Sequence, residues 1–199
     1  NIPTGAWLAL LVFLLFATGN IALWAFLERM GNAIALSPPE MGTVFAVLKL
    51  LGGAAAFSVA LVGARLGLRF PYIIVLVVLA IGLYLIWLSF NSTTNQFMLF
   101  ATGAWIWEVA FTWGCVFQTA AVARLDVKGR AIMLIPAAFG LSAMIGPALG
   151  GWLAVLGYHQ ILVLAFVASV VAVGCFIGPL ARLQQNTGTD EISPKPIAL

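Results

Sequence analysis

The sequence predicts an all-α membrane protein with six transmembrane helices. Of its 199 residues, 63% are hydrophobic and only 8% are charged, and the mean hydropathy is +1.12. A soluble domain of this length could not cover its surface with so few charges. The apolar residues form continuous runs of about 20 residues, the length that a helix needs to cross the hydrocarbon layer. Continuous runs also exclude the alternating pattern of a membrane β-barrel.

The six predicted spans are, in chain order, Trp7–Leu27, Met41–Ala64, Tyr72–Phe90, Phe97–Ala123, Ala131–Leu156 and Ile161–Ala181. Each is expected to be helical, because lipid offers no partner to an unpaired backbone amide. The third and sixth spans are almost uniformly apolar, whereas the other four carry polar residues and many glycines. A polar stripe must turn inward. We therefore expect spans three and six on the outside of the bundle and the other four around a central face.

The basic residues of the loops fall on one side of the membrane: Arg65, Arg69, Arg124, Lys128, Arg130 and Arg182. The loops on the opposite side are neutral or weakly acidic. By the positive-inside rule both termini are cytoplasmic, and we expect the chain in a plasma membrane, the inner membrane of a bacterium. The net charge of +3 comes from these loop residues, which orient the chain in the membrane. No nucleic-acid partner is therefore expected. Residues 184–199 are polar and predict a disordered cytoplasmic tail after a bundle of residues 1–183.

Two full charges lie deep inside predicted spans, Lys49 in the second and Glu108 in the fourth. Both lie near the middle of the bilayer when counted from the outer ends of their spans. A charge at that depth costs a few kcal/mol, so it usually faces a protein interior or a water-filled pathway. One interpretation is that Glu108 takes up and releases a proton, with Lys49 as its counter-charge or as a substrate anchor. The other is a permanent ion pair that locks two helices together.

Further candidates for a solute pathway lie near these charges. Asn20 and Trp24 lie one turn apart on the first span, and an amide beside an aromatic ring suits a sugar-like or aromatic solute. The alternative for Asn20 is a hydrogen bond between helices. Trp105 and Thr112 share the face of Glu108 and could flank a ligand. Trp107 and Trp113 lie off that face, and packing or lipid contact is expected for both. Close helix packing is expected for the glycines of spans two and five: Gly52, Gly53, Gly140, Gly146, Gly150 and Gly151.

A weak internal repeat divides the chain into two groups of three spans. A shift of 88 residues places Ile73 on Ile161 and Asn20 on Glu108. Because three is an odd number, two such groups must enter the membrane with opposite orientations. An inverted three-plus-three repeat is typical of one half of a common transporter architecture.

Three sequence motifs then indicate a family. The loop between spans two and three is similar to a Gly-x3-Asp-Arg-x-Gly-x-Arg motif, although Ala60 and Ala64 replace its first Gly and its Asp. The positions that fit are Arg65, Gly67 and Arg69. Residues 126–130 are similar to a basic Gly-Arg turn, and residues 140–151 to a glycine-proline motif of antiporters. On these residues the whole chain resembles the major facilitator superfamily.

This resemblance implies a secondary transporter that works by alternating access, with Arg65, Gly67 and Arg69 in a cytoplasmic gating loop. It also implies that helices one, two, four and five of each half line the cavity. Because the loop motif lacks its Asp and a polar tail follows, we expect the C-terminal half, helices seven to twelve. Its partner would be the missing N-terminal six-helix half. The alternative is an N-terminal half with a degenerate motif.

The expected partners are a small-molecule solute, the lipid bilayer and, if transport is proton-coupled rather than passive, a proton. The sequence predicts no cofactor and no metal site. We expect no enzyme, since a serine nucleophile motif with a histidine inside the bilayer is lacking. The alternative function is a non-transporting scaffold or a channel-like protein.

Overall fold

The computed structural model describes residues 2–62 and 69–180, and within them the chain forms six long α-helices. They are α1 (Thr4–Ala33), α2 (Pro38–Val62), α3 (Phe70–Asn91), α4 (Gln96–Leu125), α5 (Ile135–Ala154) and α6 (Tyr158–Ile177). A short 3₁₀ helix, Ile132–Leu134, leads into α5. All six helices are long and apolar enough to cross a membrane, which confirms the predicted spans.

Local sequence signals fix where several helices begin. The backbone N–H and the hydroxyl of Ser37 both donate to Oε2 of Glu40 at 2.7 Å, so that the Glu40 side chain caps the start of α2, one half of a Ser-Pro-Pro-Glu capping box. Pro71 and Pro136 occupy the first turns of α3 and α5, where a missing N–H costs nothing. These residues therefore mark where α2, α3 and α5 begin.

Helix α1 is longer than its apolar run. It continues past Leu27 to Ala33, because the charged Glu28 and Arg29 end the hydrophobic segment without interrupting the backbone hydrogen bonds of the helix. The helix stops just before Ala35, whose φ is +60°. The extra turn carries the charged side chains beyond the apolar segment.

The six helices pack in two equivalent sets of three. α1 packs mainly against α5 and α6, and α4 packs mainly against α2 and α3. Smaller contacts join α1 to α4 and α3 to α6. Exchanging α1–α3 with α4–α6 reproduces this pattern, as expected of an inverted three-plus-three repeat.

The contacts place α1, α3, α4 and α6 in a ring, to which α2 and α5 are attached on the side of α4 and α1. As predicted, α3 and α6 expose apolar residues on one side of the bundle: Ile73, Val77, Ile81, Val163, Val167 and Val170. However, α2 and α5 are the least buried helices, because each packs mainly on one neighbour. They border what we call the open face, the side of α1 and α4 that α3 and α6 do not cover.

Small residues allow the close helix contacts. A Cβ on Gly146 of α5 would lie 2.9 Å from the Thr18 carbonyl oxygen of α1. A Cβ on Gly82 of α3 would lie 2.6 Å from the backbone nitrogen of Trp107 on α4. The predicted packing role is therefore confirmed for Gly146. It is not confirmed for Gly53 and Gly140, which have no neighbouring atom within 4 Å of such a Cβ.

Candidate functional site

The contact between α2 and α4 brings the two deep charges together. Nζ of Lys49 lies 3.5 Å from Oε1 of Glu108, which confirms the predicted proximity. Both residues lie roughly 17 Å along their helices from the N-terminal ends of α2 and α4, at 1.5 Å per residue. The two side chains differ in exposure, since 59% of Lys49 is accessible but only 8% of Glu108. The pair therefore has a buried acid and an accessible base.

Two tryptophans hold α2 against α4 on either side of this pair. The indole N–H of Trp105 donates to the carbonyl oxygen of Val44 at 3.0 Å. The indole N–H of Trp113 donates to the carbonyl oxygen of Ala55 at 3.1 Å and to the hydroxyl of Ser58 at 3.0 Å. We call this contact the α2–α4 seam. It fixes the spacing of the two helices at the depth of the charges.

The carboxylate of Glu108 is only half compensated. Oε1 faces Lys49 and lies over Gly52, where a Cβ would come within 2.8 Å of it. Oε2 is buried, and in the part of the chain that the structure describes it has no hydrogen-bond partner. A buried polar oxygen without a partner is costly, more so when it carries charge.

Trp24 joins the pair from α1. Its ring centroid lies 5.3 Å from Nζ of Lys49, within the range of a cation–π contact. The Trp24 side chain is 44% exposed. The Lys49 ammonium group thus lies between the Glu108 carboxylate and an aromatic ring, and both Lys49 and Trp24 are accessible.

Asn20 has a different environment from Trp24, although they lie one turn apart. Its Nδ2 donates to the Phe16 carbonyl oxygen at 2.9 Å and to the Ser169 hydroxyl at 3.1 Å, and its Oδ1 accepts the Trp107 indole N–H at 2.9 Å. Asn20 is fully buried. The structure thus shows the interhelical hydrogen bond that the sequence left as an alternative, among α1, α4 and α6.

A second, apolar feature lies further toward the basic side of the bundle. Thr112 is half-buried on α4, one turn beyond Glu108, and Cys115 lies almost one turn further. From there a cavity of about 650 Å³ opens between α1, α4 and α5. Its lining residues are Phe13, Cys115, Val116, Thr119, Ala120, Ile135, Pro136 and Phe139.

The motifs on the basic side are partly described. Arg65 and Gly67 of the predicted gating loop lie outside the described residues, and Arg69 is exposed directly before α3. Between α4 and α5, the carboxylate of Asp126 accepts the backbone N–H groups of Lys128 at 3.3 Å and Ala131 at 2.8 Å. The Gly-Arg turn is therefore closed by its own aspartate.

Sequence reasoning missed Gly52 and Trp113 as parts of this site. The sequence predicts helix packing for Gly52 and packing or lipid contact for Trp113. A usable signal for Gly52 was its spacing, because it lies three residues after Lys49 and so shares its helix face. Trp113 offered no comparable signal, since its hydrogen bonds to the Ala55 carbonyl oxygen and the Ser58 hydroxyl depend on how α2 is rotated.

Comparisons with known proteins give one match. Residues 8–197 match the family model described as the Major Facilitator Superfamily. The matched range includes the α2–α4 seam and the open face. No curated protein and no solved structure matched the chain.

Proposed function

This chain belongs to the major facilitator superfamily, whose members are integral multi-pass transporters of small solutes rather than enzymes. We propose that it supplies one half of a secondary transporter. Such a protein works by alternating access, in which two six-helix halves rock about a central site. The open face supports this proposal. The helices α2 and α5, which border it, each pack mainly on one neighbour and carry large exposed apolar side chains: Leu50, Phe57, Leu61, Met144 and Trp152.

The second half would cover the open face. The accessible charge of Lys49 near mid-membrane favours such a cover, since a charge at that depth faces protein or water rather than lipid. We propose that this chain is the C-terminal half, helices seven to twelve, because its loop motif carries Ala64 in place of the acidic residue. The positive-inside pattern favours cytoplasmic termini in a plasma membrane, the inner membrane in a bacterium.

We assign proton coupling to Glu108, with Lys49 as its counter-charge. The observation that carries this assignment is the half-compensated carboxylate, which is buried near mid-membrane with Oε1 on an accessible lysine and Oε2 without a partner among the described residues. When the ammonium group moves toward a solute, the carboxylate loses its counter-charge. A buried and unpaired carboxylate is costly, and a proton removes that cost. Solute binding and proton uptake would thereby be linked.

The solute would meet the accessible side of this pair. Trp24 and Lys49 present a ring and an ammonium group there, and Thr112 adds a hydroxyl one turn away on α4. Trp105 contributes its ring, because its N–H is already used by α2. Asn20 contributes by holding α1 against α4, since its polar atoms are engaged inside the bundle.

The experiment is the Glu108→Gln substitution in the complete transporter, assayed in proteoliposomes. Gln has the size and hydrogen bonding of the protonated acid but cannot ionise. We expect uphill transport to be lost and exchange of solute across the membrane to be largely kept. Glu28→Gln, at the exposed end of α1, is the matched control and should keep both activities.

Two results would contradict the proposal. Unchanged uphill transport in a well-folded Glu108→Gln protein would exclude the proton role. A poorly folded Glu108→Gln protein that recovers when Lys49 is also replaced by Gln would show a structural ion pair, because the cost then came from an unpaired charge. An absence of any solute uptake by the unaltered protein would instead favour a scaffold.

A further inference from the structure

We propose that Gly52 is a positioning residue for Glu108. The missing side chain at position 52 leaves a space on α2 that receives the carboxylate and so sets its contact with Lys49. We call this space the carboxylate seat. The inference rests on the proposed function only for its effect on transport, since the seat itself is a property of the α2–α4 seam.

The geometry of the seat comes from three close approaches. A Cβ at position 52 would lie 2.8 Å from Oε1, 3.4 Å from Cγ and 3.5 Å from Cδ of Glu108. Carbon atoms in folded proteins do not approach an oxygen as closely as 2.8 Å without displacing it. The end of the Glu108 side chain therefore lies directly on the glycine, and Gly52 is itself buried.

The seam determines which group must move when a methyl group enters the seat. Trp105 and Trp113 bond to backbone carbonyl groups of α2 on either side of Glu108. Separating the helices would break these bonds, whereas rotating the carboxylate would break none of them. A methyl group at position 52 is thus expected to push the carboxylate aside and leave the helices in place.

A displaced carboxylate loses the alignment with Lys49. Position 49 lies one turn before position 52 on the same face of α2. The same carboxylate oxygen, Oε1 of Glu108, lies against Gly52 and 3.5 Å from Nζ of Lys49. Gly52 thus selects the one placement of the acid in which it is paired, and this placement is what the proposed coupling needs.

The test compares Gly52→Ala with Gly53→Ala in the complete transporter. Both substitutions add the same methyl group and the same helix propensity to α2, but no atom lies within 4 Å of a Cβ at Gly53. We expect Gly52→Ala to lower both thermal stability and proton-driven uptake, the latter on the order of tenfold or more. Gly53→Ala should leave uptake close to that of the unaltered protein and should not lower thermal stability, because Ala is the better helix former.

Second-site variants show whether the effect passes through Glu108. Glu108→Asp shortens the acid and Glu108→Ala removes it, so Gly52→Ala should cost little stability in either background. The Gly52→Ala/Glu108→Asp protein should also regain uptake relative to Gly52→Ala alone. An equal stability loss in all three backgrounds, or equal behaviour of the Gly52 and Gly53 variants, would overturn the inference. If the stability results hold but the unaltered protein shows no proton-driven uptake, the seat stands and the proposed function fails.

Discussion

The hydrogen bonds of Asn20 yield a quantitative prediction for the stability of the bundle. Asn20→Ala removes two bonds between helices, one to Ser169 and one from Trp107. Interhelical bonds in membranes are worth about 0.6 kcal/mol on average. The substitution also leaves the buried Trp107 N–H without its acceptor, which costs about 1–3 kcal/mol. Together these contributions predict a loss of roughly 2–4 kcal/mol in the free energy of unfolding.

The measurement is reversible unfolding of the purified complete protein in detergent or bicelles. Asn91→Ala is the matched control, because Asn91 donates only to Trp87 of its own helix and is exposed. The double variant Asn20→Ala/Trp107→Phe removes the orphaned N–H together with its acceptor. We therefore expect the double variant to be less destabilised than the sum of the two single variants, with a coupling of about 1 kcal/mol.

Three outcomes would refute this reasoning. Equal stability of the Asn20 and Asn91 variants would mean that the network does not hold α1 to α4 and α6. Additive effects of the Asn20 and Trp107 substitutions would mean that the two side chains do not interact. A change in solute selectivity with unchanged stability would return Asn20 to the solute pathway.

Two further predictions concern packing and orientation. Gly146→Ala should destabilise the protein by about 1–3 kcal/mol, because its methyl group would meet the α1 backbone. Gly140→Ala should be neutral or slightly stabilising, because a methyl group meets no atom there and Ala is the better helix former. Thermal unfolding of both variants measures the difference, and equal effects would contradict the packing described for α5. In a background without Cys115 and Cys175, a cysteine replacing the exposed Val127 should react with an impermeant thiol reagent only from the cytoplasmic side. A cysteine replacing Thr93 should react only from the outside, and the reverse labelling would refute the orientation.

The parts of the fold that depend on distance along a helix could be predicted from the sequence. Membrane-spanning helices are held at a known depth, so the matched positions of Lys49 and Glu108 were enough to predict their contact. The polarity of the spans likewise predicted the apolar exposure of α3 and α6. Loops were less predictable, since the charge of Glu28 marks the end of the apolar run but not the end of α1.

The parts that depend on helix rotation could not be predicted. The repeat aligns Asn20 with Glu108, yet Asn20 points into the bundle and Glu108 points toward α2. A rotation of the helix about its axis by some tens of degrees decides which neighbour such a side chain meets. The seat at Gly52 has the same origin. The exposure of α2 and α5 was missed for another reason: it depends on how many helices each one touches, and the polarity of a span does not show this.

The tryptophan bonds of the seam have a consequence for how this protein can change during evolution. The acceptors at Val44 and Ala55 are backbone carbonyl groups, which every residue possesses. Substitutions along α2 therefore leave these bonds available whatever side chain is introduced, provided that the helix remains a helix. Positions of α2 that border the open face are free to acquire new chemistry while the attachment to α4 persists. The same scaffold can in this way be adapted to different solutes without losing the placement of its buried acid.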